Sequence, residues 1–156
     1  MRIFRLLMAL GAVVAIIGPA RAADPFFLGN WKFTSAVIAP WASPAARKPN
    51  RAERDSLLGK TIVFKAKELA GPRVFTCPRP RYLLKDYPAA DLFQGAFGEM
   101  RDRDPAIDPD KLATRLGFKG KSVTTLETGC EFDWHFVDQT TAKVGLNDWV
   151  YTLKKQ

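Results

Sequence analysis

Alternation of apolar and polar residues beyond residue 22 constrains the fold more than any other feature of this chain. Successive side chains of a strand point to opposite faces, so alternation predicts strands with one buried face. The predicted strands are 30–38, 61–66, 73–77, 81–85, 122–128, 130–138, 141–146 and 149–154. Short connections at 139–140 and 147–148 join the last three, which is typical of an antiparallel meander. We therefore predict a mainly β domain.

Two short helices are predicted between the strands. Asn50 is a helix-capping residue, Glu53 follows it at the capping-box spacing, and Gly59 ends the segment. Asp108-Pro109 combines a cap with proline at the first helical position, and Gly117 ends that helix. The stretch 39–49 is rich in Pro and Ala, so we expect a long surface loop there.

Residues 1–22 have the three parts of a secretory signal peptide. Arg2 and Arg5 precede the apolar run 6–17, Pro19 follows it, and Ala20-Arg21-Ala22 supplies small residues for cleavage after Ala22. The run is shorter than the roughly 20 residues that span a bilayer. The alternative is an uncleaved anchor.

Cleavage would leave residues 23–156 as a single β-rich domain. The expected location is the periplasm or the medium, with no lipid anchor because no cysteine lies near the cleavage point.

Cys77 and Cys130 are the two cysteines, and both follow the signal peptide. An even number in an oxidising compartment predicts one disulfide. It would close a loop of about 53 residues and contribute roughly 4 kcal/mol in the chain-entropy model. The alternative, a catalytic thiol, requires a reduced cysteine next to a base.

The charge balance favours anionic partners. The chain carries +8 at pH 7, and removing the three arginines of residues 1–22 leaves +5. Such an excess favours lipid head groups or acidic polymers, while export argues against nucleic acid as a partner. The densest basic cluster is Arg47, Lys48, Arg51 and Arg54.

Asp133 and His135 are the candidate catalytic pair. Alternation within 130–138 puts them on one face, where the carboxylate would orient the imidazole and raise its pKa. The functional interpretation is a general base or one arm of a metal site. The alternative is the exposed polar face of a half-buried strand.

The remaining composition argues against most catalytic devices. No G-x-S-x-G motif is present, and one histidine beside a paired set of cysteines falls short of a zinc site. We therefore predict no metal and no cofactor, and a non-catalytic protein is favoured over an enzyme.

Aromatic residues supply the candidate ligand-binding face. Six of them have the parity of inward-facing strand positions: Trp31, Phe64, Phe75, Phe132, Trp134 and Phe136. They form either a packed core or the lining of a cavity that holds an apolar ligand. Trp41 matches neither pattern, and an exposed position near the basic cluster would suit contact with a membrane surface or a partner.

Gly29-Asn30-Trp31, before the first strand, resembles the G-x-W entry of lipocalins and related calycin barrels. The resemblance implies an antiparallel barrel of about eight strands that binds a small apolar molecule. It also implies that Trp31 closes one end of the barrel beneath a basic residue of the last strand, here Lys154 or Lys155. The central T-D-Y-type motif of that family has only a loose counterpart in Lys85-Asp86-Tyr87.

The leading hypothesis is an exported, non-catalytic binding protein of the cell envelope. A small β-barrel, joined by the Cys77–Cys130 disulfide, would hold an apolar or anionic small molecule or lipid. The first alternative is an interaction protein that inhibits an envelope hydrolase through the 39–49 loop. The second is a small hydrolase that uses Asp133 and His135.

Overall fold

The computed structural model describes residues 25–42 and 48–156. The predicted signal peptide, its cleavage point and residues 43–47 of the surface loop lie outside these ranges. Within them, eight antiparallel strands form one curled sheet, a half-barrel, as the predicted mainly β fold requires. The strands are β1 (Gly29–Ile38), β2 (Thr61–Lys65), β3 (Glu68–Ala70), β4 (Leu83–Pro88), β5 (Ser122–Glu127), β6 (Trp134–Asp138), β7 (Thr141–Leu146) and β8 (Trp149–Lys155).

The strand order is β3-β2-β1-β8-β7-β6-β5-β4, so β3 and β4 are the two edges of the sheet. The first and last strands, β1 and β8, pair at its centre from Trp31↔Lys155 to Ile38↔Trp149. The turn between β7 and β8 is where the sequence predicts it, with Asn147 in the left-handed conformation at φ 50°. The first and last strands thus lie in the middle of the sheet, and its edges come from the strands between them in sequence.

In the described part of the chain, three α-helices accompany the sheet: α1 (Arg51–Leu57), α2 (Leu92–Arg103) and α3 (Pro109–Arg115). The predicted caps of α1 and α3 are confirmed, because Asn50 Oδ1 accepts from Glu53 N at 3.1 Å and Asp108 Oδ1 accepts from Asp110 N at 2.9 Å. The sequence did not predict α2, whose glycines disfavour a helix.

Two predicted strands are wrong in part. Residues 73–77 form a short 3-10 helix at Arg73–Phe75, and Cys77 alone pairs with Leu69 of β3. The strand expected over 130–138 begins only at Trp134, since the side chain of Thr128 accepts from Cys130 N and donates to the carbonyl of Phe132. These bonds turn the chain before it can extend.

The sheet has apolar side chains on both faces. The inner core fills the concave side and is dominated by aromatic rings, including Trp31, Phe64 and Trp134. The outer core lies between the convex face of the sheet and helices α2 and α3, around Phe93, Phe97 and Val150. The helices are therefore a packed layer over the sheet rather than surface additions.

Candidate functional site

The aromatic residues predicted to bind a ligand lie in the inner core and contact one another. Ring centroids are 5.1 Å apart for Phe64 and Trp134 and 5.6 Å apart for Trp31 and Phe136. Phe75 lies 4.8 Å from Phe132, which is the least buried of the six. The rings themselves thus occupy the space inside the half-barrel, as in a packed core.

Trp31 is fully buried in this core. Its indole Nε1 donates to the carbonyl of Phe27 at 2.8 Å. The ammonium of Lys155 lies 5.9 Å from the ring centroid and donates to the carbonyl of Phe26. Of the two lysines considered from the sequence, Lys155 covers the tryptophan, whereas Lys154 points to the convex face and donates to Thr141.

His135 is buried against the outer core, which corrects the exposed polar face considered from the sequence. Its Nε2 accepts from the backbone N–H of Phe93 at 3.0 Å, and its Nδ1 lies 2.8 Å from Thr125 Oγ1. Burial lowers the pKa of His135 to about 3, the opposite of the increase expected from Asp133. The neutral ring therefore has both nitrogens bonded within the protein, and Asp133 does not orient it.

Asp133 and His135 instead support the same turn. Phe93 and Gln94 have left-handed backbone angles, with φ 54° and φ 55°, and Gly95 follows with φ 82°. His135 bonds to Phe93, while the side chain of Gln94 acts to lower the pKa of Asp133. Burial and the charge of Glu127 raise the pKa of Asp133. Strand β6 thus holds a conformation that non-glycine residues rarely adopt.

A second polar cluster lies beside this turn, on the convex side of β4 and β5. Tyr87 donates its hydroxyl to the carboxylate of Glu127, and the ammonium of Lys85 lies 3.1 Å from the same carboxylate. These hydrogen bonds, that of Tyr87 first, lower the pKa of Glu127. The carboxylate is therefore ionised and already paired.

An open apolar cleft of about 480 Å³ lies between the N-terminal segment and β4. Leu83 and Leu84 of β4 are 50% and 39% exposed although both are large and apolar. The cleft is lined by Pro25, Phe27, Leu28, Ala66, Tyr82, Leu83 and Leu84. The sequence analysis missed this site. Its one signal in the sequence is the apolar run 82–84, and the position of β4 at the edge of the sheet depends on the tertiary fold.

Tyr82 separates the cleft from the inner core. Its hydroxyl donates to the carbonyl of Glu68 on β3 at 3.2 Å, and its ring lies 5.0 Å from that of Phe27. Burial, followed by the charge of Glu68, raises the pKa of Tyr82 to about 12. Tyr82 therefore links the segment before β4 to the other edge strand, β3. We call the apolar cleft beside Tyr82, with the lining residues given above, the seam.

The disulfide is present as predicted, between Cys77 and Cys130 with a sequence separation of 53. Cys77 pairs with β3 at one edge of the sheet, and Cys130 lies in the turn between β5 and β6 toward the other edge. The bond thus joins the two sides of the half-barrel covalently.

Trp41, expected to be exposed, is half-buried over the outer core. Its ring lies 5.1 Å from that of Phe93, and its Nε1 donates to the carbonyl of Asn147 at 2.9 Å. The tryptophan therefore fixes the start of the surface loop to the β7–β8 turn.

Within residues 25–42 and 48–156, no group of three or more His, Cys, Asp or Glu side chains is arranged to hold a metal ion. No helix in these ranges is long and apolar enough to cross a membrane. No family model matches the chain, and no curated protein or solved structure matches it either.

Proposed function

We propose that the protein is an exported, non-catalytic binding protein of the cell envelope that holds a small amphiphile in the seam. The open apolar cleft between Phe27, Tyr82 and Leu84 carries this proposal. Its volume falls within the range of about 300–1,000 Å³ that is typical of small-molecule sites. Exposed leucines in a concave surface gain free energy when an apolar chain covers them.

The polar surroundings of the cleft favour an anionic head group. Lys65 and Lys67 flank Ala66 on the β2–β3 turn, and Arg81 precedes Tyr82. All three side chains are exposed, and of them Lys65 forms an ion pair with Glu68 at 2.8 Å. A ligand with an acyl chain and a carboxylate or phosphate would match both the apolar lining and these cations.

The seam replaces the barrel interior as the proposed location of the ligand. The rings that would have lined an interior cavity contact each other, so a ligand there would have to displace core side chains at a large cost in stability. A ligand in the seam would instead lie outside Tyr82 and leave the inner core intact.

We also propose a distant relationship to lipocalins and related calycin barrels. The contacts of Trp31 with Phe27 and of Lys155 with Trp31 support it, because they match the closed barrel end that the G-x-W resemblance implies.

The second candidate function is inhibition of an envelope hydrolase through the 39–49 loop. The exposed side chains of Val37 and Ile38 at the end of β1 favour it, since they lie directly before this loop. A hydrolase that uses Asp133 and His135 is disfavoured by the bonded ring nitrogens of His135.

Native mass spectrometry of the protein purified from its own envelope tests the proposal first, because a retained amphiphile adds mass. The delipidated protein is then titrated with a long-chain fatty acid. Leu84→Asp should abolish binding by placing a charge in the cleft. Val37→Asp is the matched control, since Val37 is also an exposed apolar strand residue and lies on β1.

Equal binding by wild type and Leu84→Asp, or a wild type that neither retains nor binds an amphiphile, would overturn the proposal. A partner protein in place of a small added mass, lost in Val37→Asp, would instead support the inhibitor.

A further inference from the structure

Three lysines occupy adjacent strands on the convex face of the sheet. Lys32 of β1 lies directly opposite Lys154 of β8, and Lys143 follows on β7. Lys32 and Lys143 each lie between two inward-facing core residues, and Lys154 follows the core residue Leu153, so all three side chains point outward. Like charges directly opposite each other in a sheet are destabilising, which makes this arrangement costly without a compensating anion.

The hydrogen-bond partners of Lys143 and Lys154 are neutral. Lys143 Nζ donates to Thr152 Oγ1 at 2.8 Å, and Lys154 Nζ donates to Thr141 Oγ1 at 2.5 Å. A hydroxyl satisfies one of the three N–H donors of an ammonium and leaves its charge unbalanced. Both lysines therefore retain donors for a further acceptor.

Lys143 is the most constrained of the three, with only 9% of its surface exposed. Burial lowers its pKa, and the charge of Lys154 lowers it further. Lys143 pairs with His135 on the adjacent strand β6, and the neutral ring of His135 is bonded to Thr125 and Phe93. A nearly buried ammonium is costly unless an opposite charge pairs with it, so an anion from solution would stabilise Lys143 in this position.

One carboxylate, that of Asp138, lies at the margin of this group. Asp138 pairs with Thr141 across β6 and β7 and accepts from the backbone and hydroxyl of Thr140 at 2.8 Å and 2.7 Å. Burial opposes ionisation, but these bonds and the charge of Lys154 lower the pKa of Asp138 overall. Asp138 thus offsets part of the charge of Lys154, whereas neither Lys143 nor Lys32 forms an ion pair with any residue of the described ranges.

We propose that Lys143, Lys154 and Lys32 form a binding site for a phosphate-class oxyanion. The ammonium groups of Lys143 and Lys154 supply charge-assisted donors, and the hydroxyls of Thr152 and Thr141 orient them. A tetrahedral oxyanion presents several acceptors at once, which suits donors from three neighbouring strands. The site lies on the opposite face of the sheet from the inner core and does not depend on the proposed ligand of the seam.

Inorganic phosphate is the first probe, titrated into the full exported chain and compared with chloride at equal ionic strength. Thermal unfolding and calorimetry report the binding. Wild type should be stabilised by phosphate beyond the effect of chloride. Lys143→Met removes the charge but keeps the apolar stem, and should weaken the phosphate affinity by about tenfold or more. Lys111→Met on α3, an exposed lysine, is the control and should bind as wild type does.

Anionic vesicles of phosphatidylglycerol provide the second arm of the experiment. Binding of free phosphate that Lys143→Met abolishes supports a soluble ligand, while vesicle binding abolished by the same substitution supports a lipid head group. Lys143→Met without phosphate should be at least as stable as wild type, because a buried charge has been removed. Equal responses of wild type and Lys143→Met to both probes, or identical effects of phosphate and chloride, would overturn the proposal. A failed Leu84→Asp test of the seam leaves this result unaffected.

Discussion

His135 Nε2 accepts a hydrogen bond of 3.0 Å from the backbone N–H of Phe93, a residue held at φ 54° and ψ 52°. This bond fixes the tautomer, because a nitrogen that accepts a hydrogen bond carries no proton. Nδ1 must then carry the proton and donate to Thr125 Oγ1, whose hydroxyl donates onward to the carbonyl of Val123 at 3.3 Å. The histidine is a structural link between β6, β5 and the left-handed turn of α2.

Acidification should therefore destabilise the fold through His135. Its pKa is about 3 in the folded state, against about 6.5 in the unfolded chain. Only the unfolded state takes up a proton between these values, so the free energy of unfolding falls as the pH decreases from 6.5. The slope approaches about 1.4 kcal/mol per pH unit. Urea unfolding at pH 7, 6 and 5 measures it.

His135→Gln is the control for this pH dependence, because its amide oxygen also accepts from Phe93 but does not titrate. His135 is the only histidine of the chain, so few other groups change charge between pH 6.5 and 5. The variant should show a flatter dependence in that interval. A slope equal to that of wild type would mean that His135 is not the titrating group.

For strand β6, the sequence correctly predicts the residues of the inner face but not the burial of the outer face. Alternation in 134–138 correctly places Trp134 and Phe136 opposite His135. It does not reveal that α2 and α3 cover the convex face, because the glycines of α2 obscure any helical period. Burial of His135 depends on that layer, so alternation alone did not predict that the residue is buried.

The seam likewise depends on tertiary structure that local sequence patterns do not predict. Local signals predict the disulfide partners, both short helices and most strand positions. That β3 and β4 are the edges of the sheet follows from the strand order, which alternation does not encode. The exposure of Leu83 and Leu84 is a consequence of that order, and it is invisible in a window of a few residues.

Gly145→Ala should destabilise the fold by about 1–3 kcal/mol through overpacking. A Cβ at this position would lie 3.0 Å from two ring atoms of Trp41 and 3.1 Å from Phe93. Trp41 is held by its bond to Asn147 and cannot move away freely. Urea unfolding measures the loss, and the double variant Gly145→Ala/Trp41→Phe should recover part of it. A Gly145→Ala variant as stable as wild type would contradict the contact between β7 and Trp41.

Removing the disulfide should lower the free energy of unfolding by about 2–5 kcal/mol. The double variant Cys77→Ser/Cys130→Ser removes the covalent bond between residues that are 53 positions apart in sequence, so the two sides of the half-barrel are no longer joined covalently. Its urea midpoint should match that of wild type in reducing agent, and the reducing agent should have no effect on the variant. A midpoint unchanged by both treatments would show that noncovalent packing alone closes the half-barrel.

Lys155→Met should cost about 1–3 kcal/mol, since it removes the ammonium that donates to Phe26 and lies over the ring of Trp31. Lys155→Arg should restore most of the loss, because a guanidinium stacks on aromatic rings and donates several hydrogen bonds. Urea unfolding measures the stability of both variants, and the NMR shift of the Trp31 indole N–H reports on its bond to Phe27. If Lys155→Met and Lys155→Arg were equally destabilised, the positive charge would not account for the contribution of Lys155 to stability.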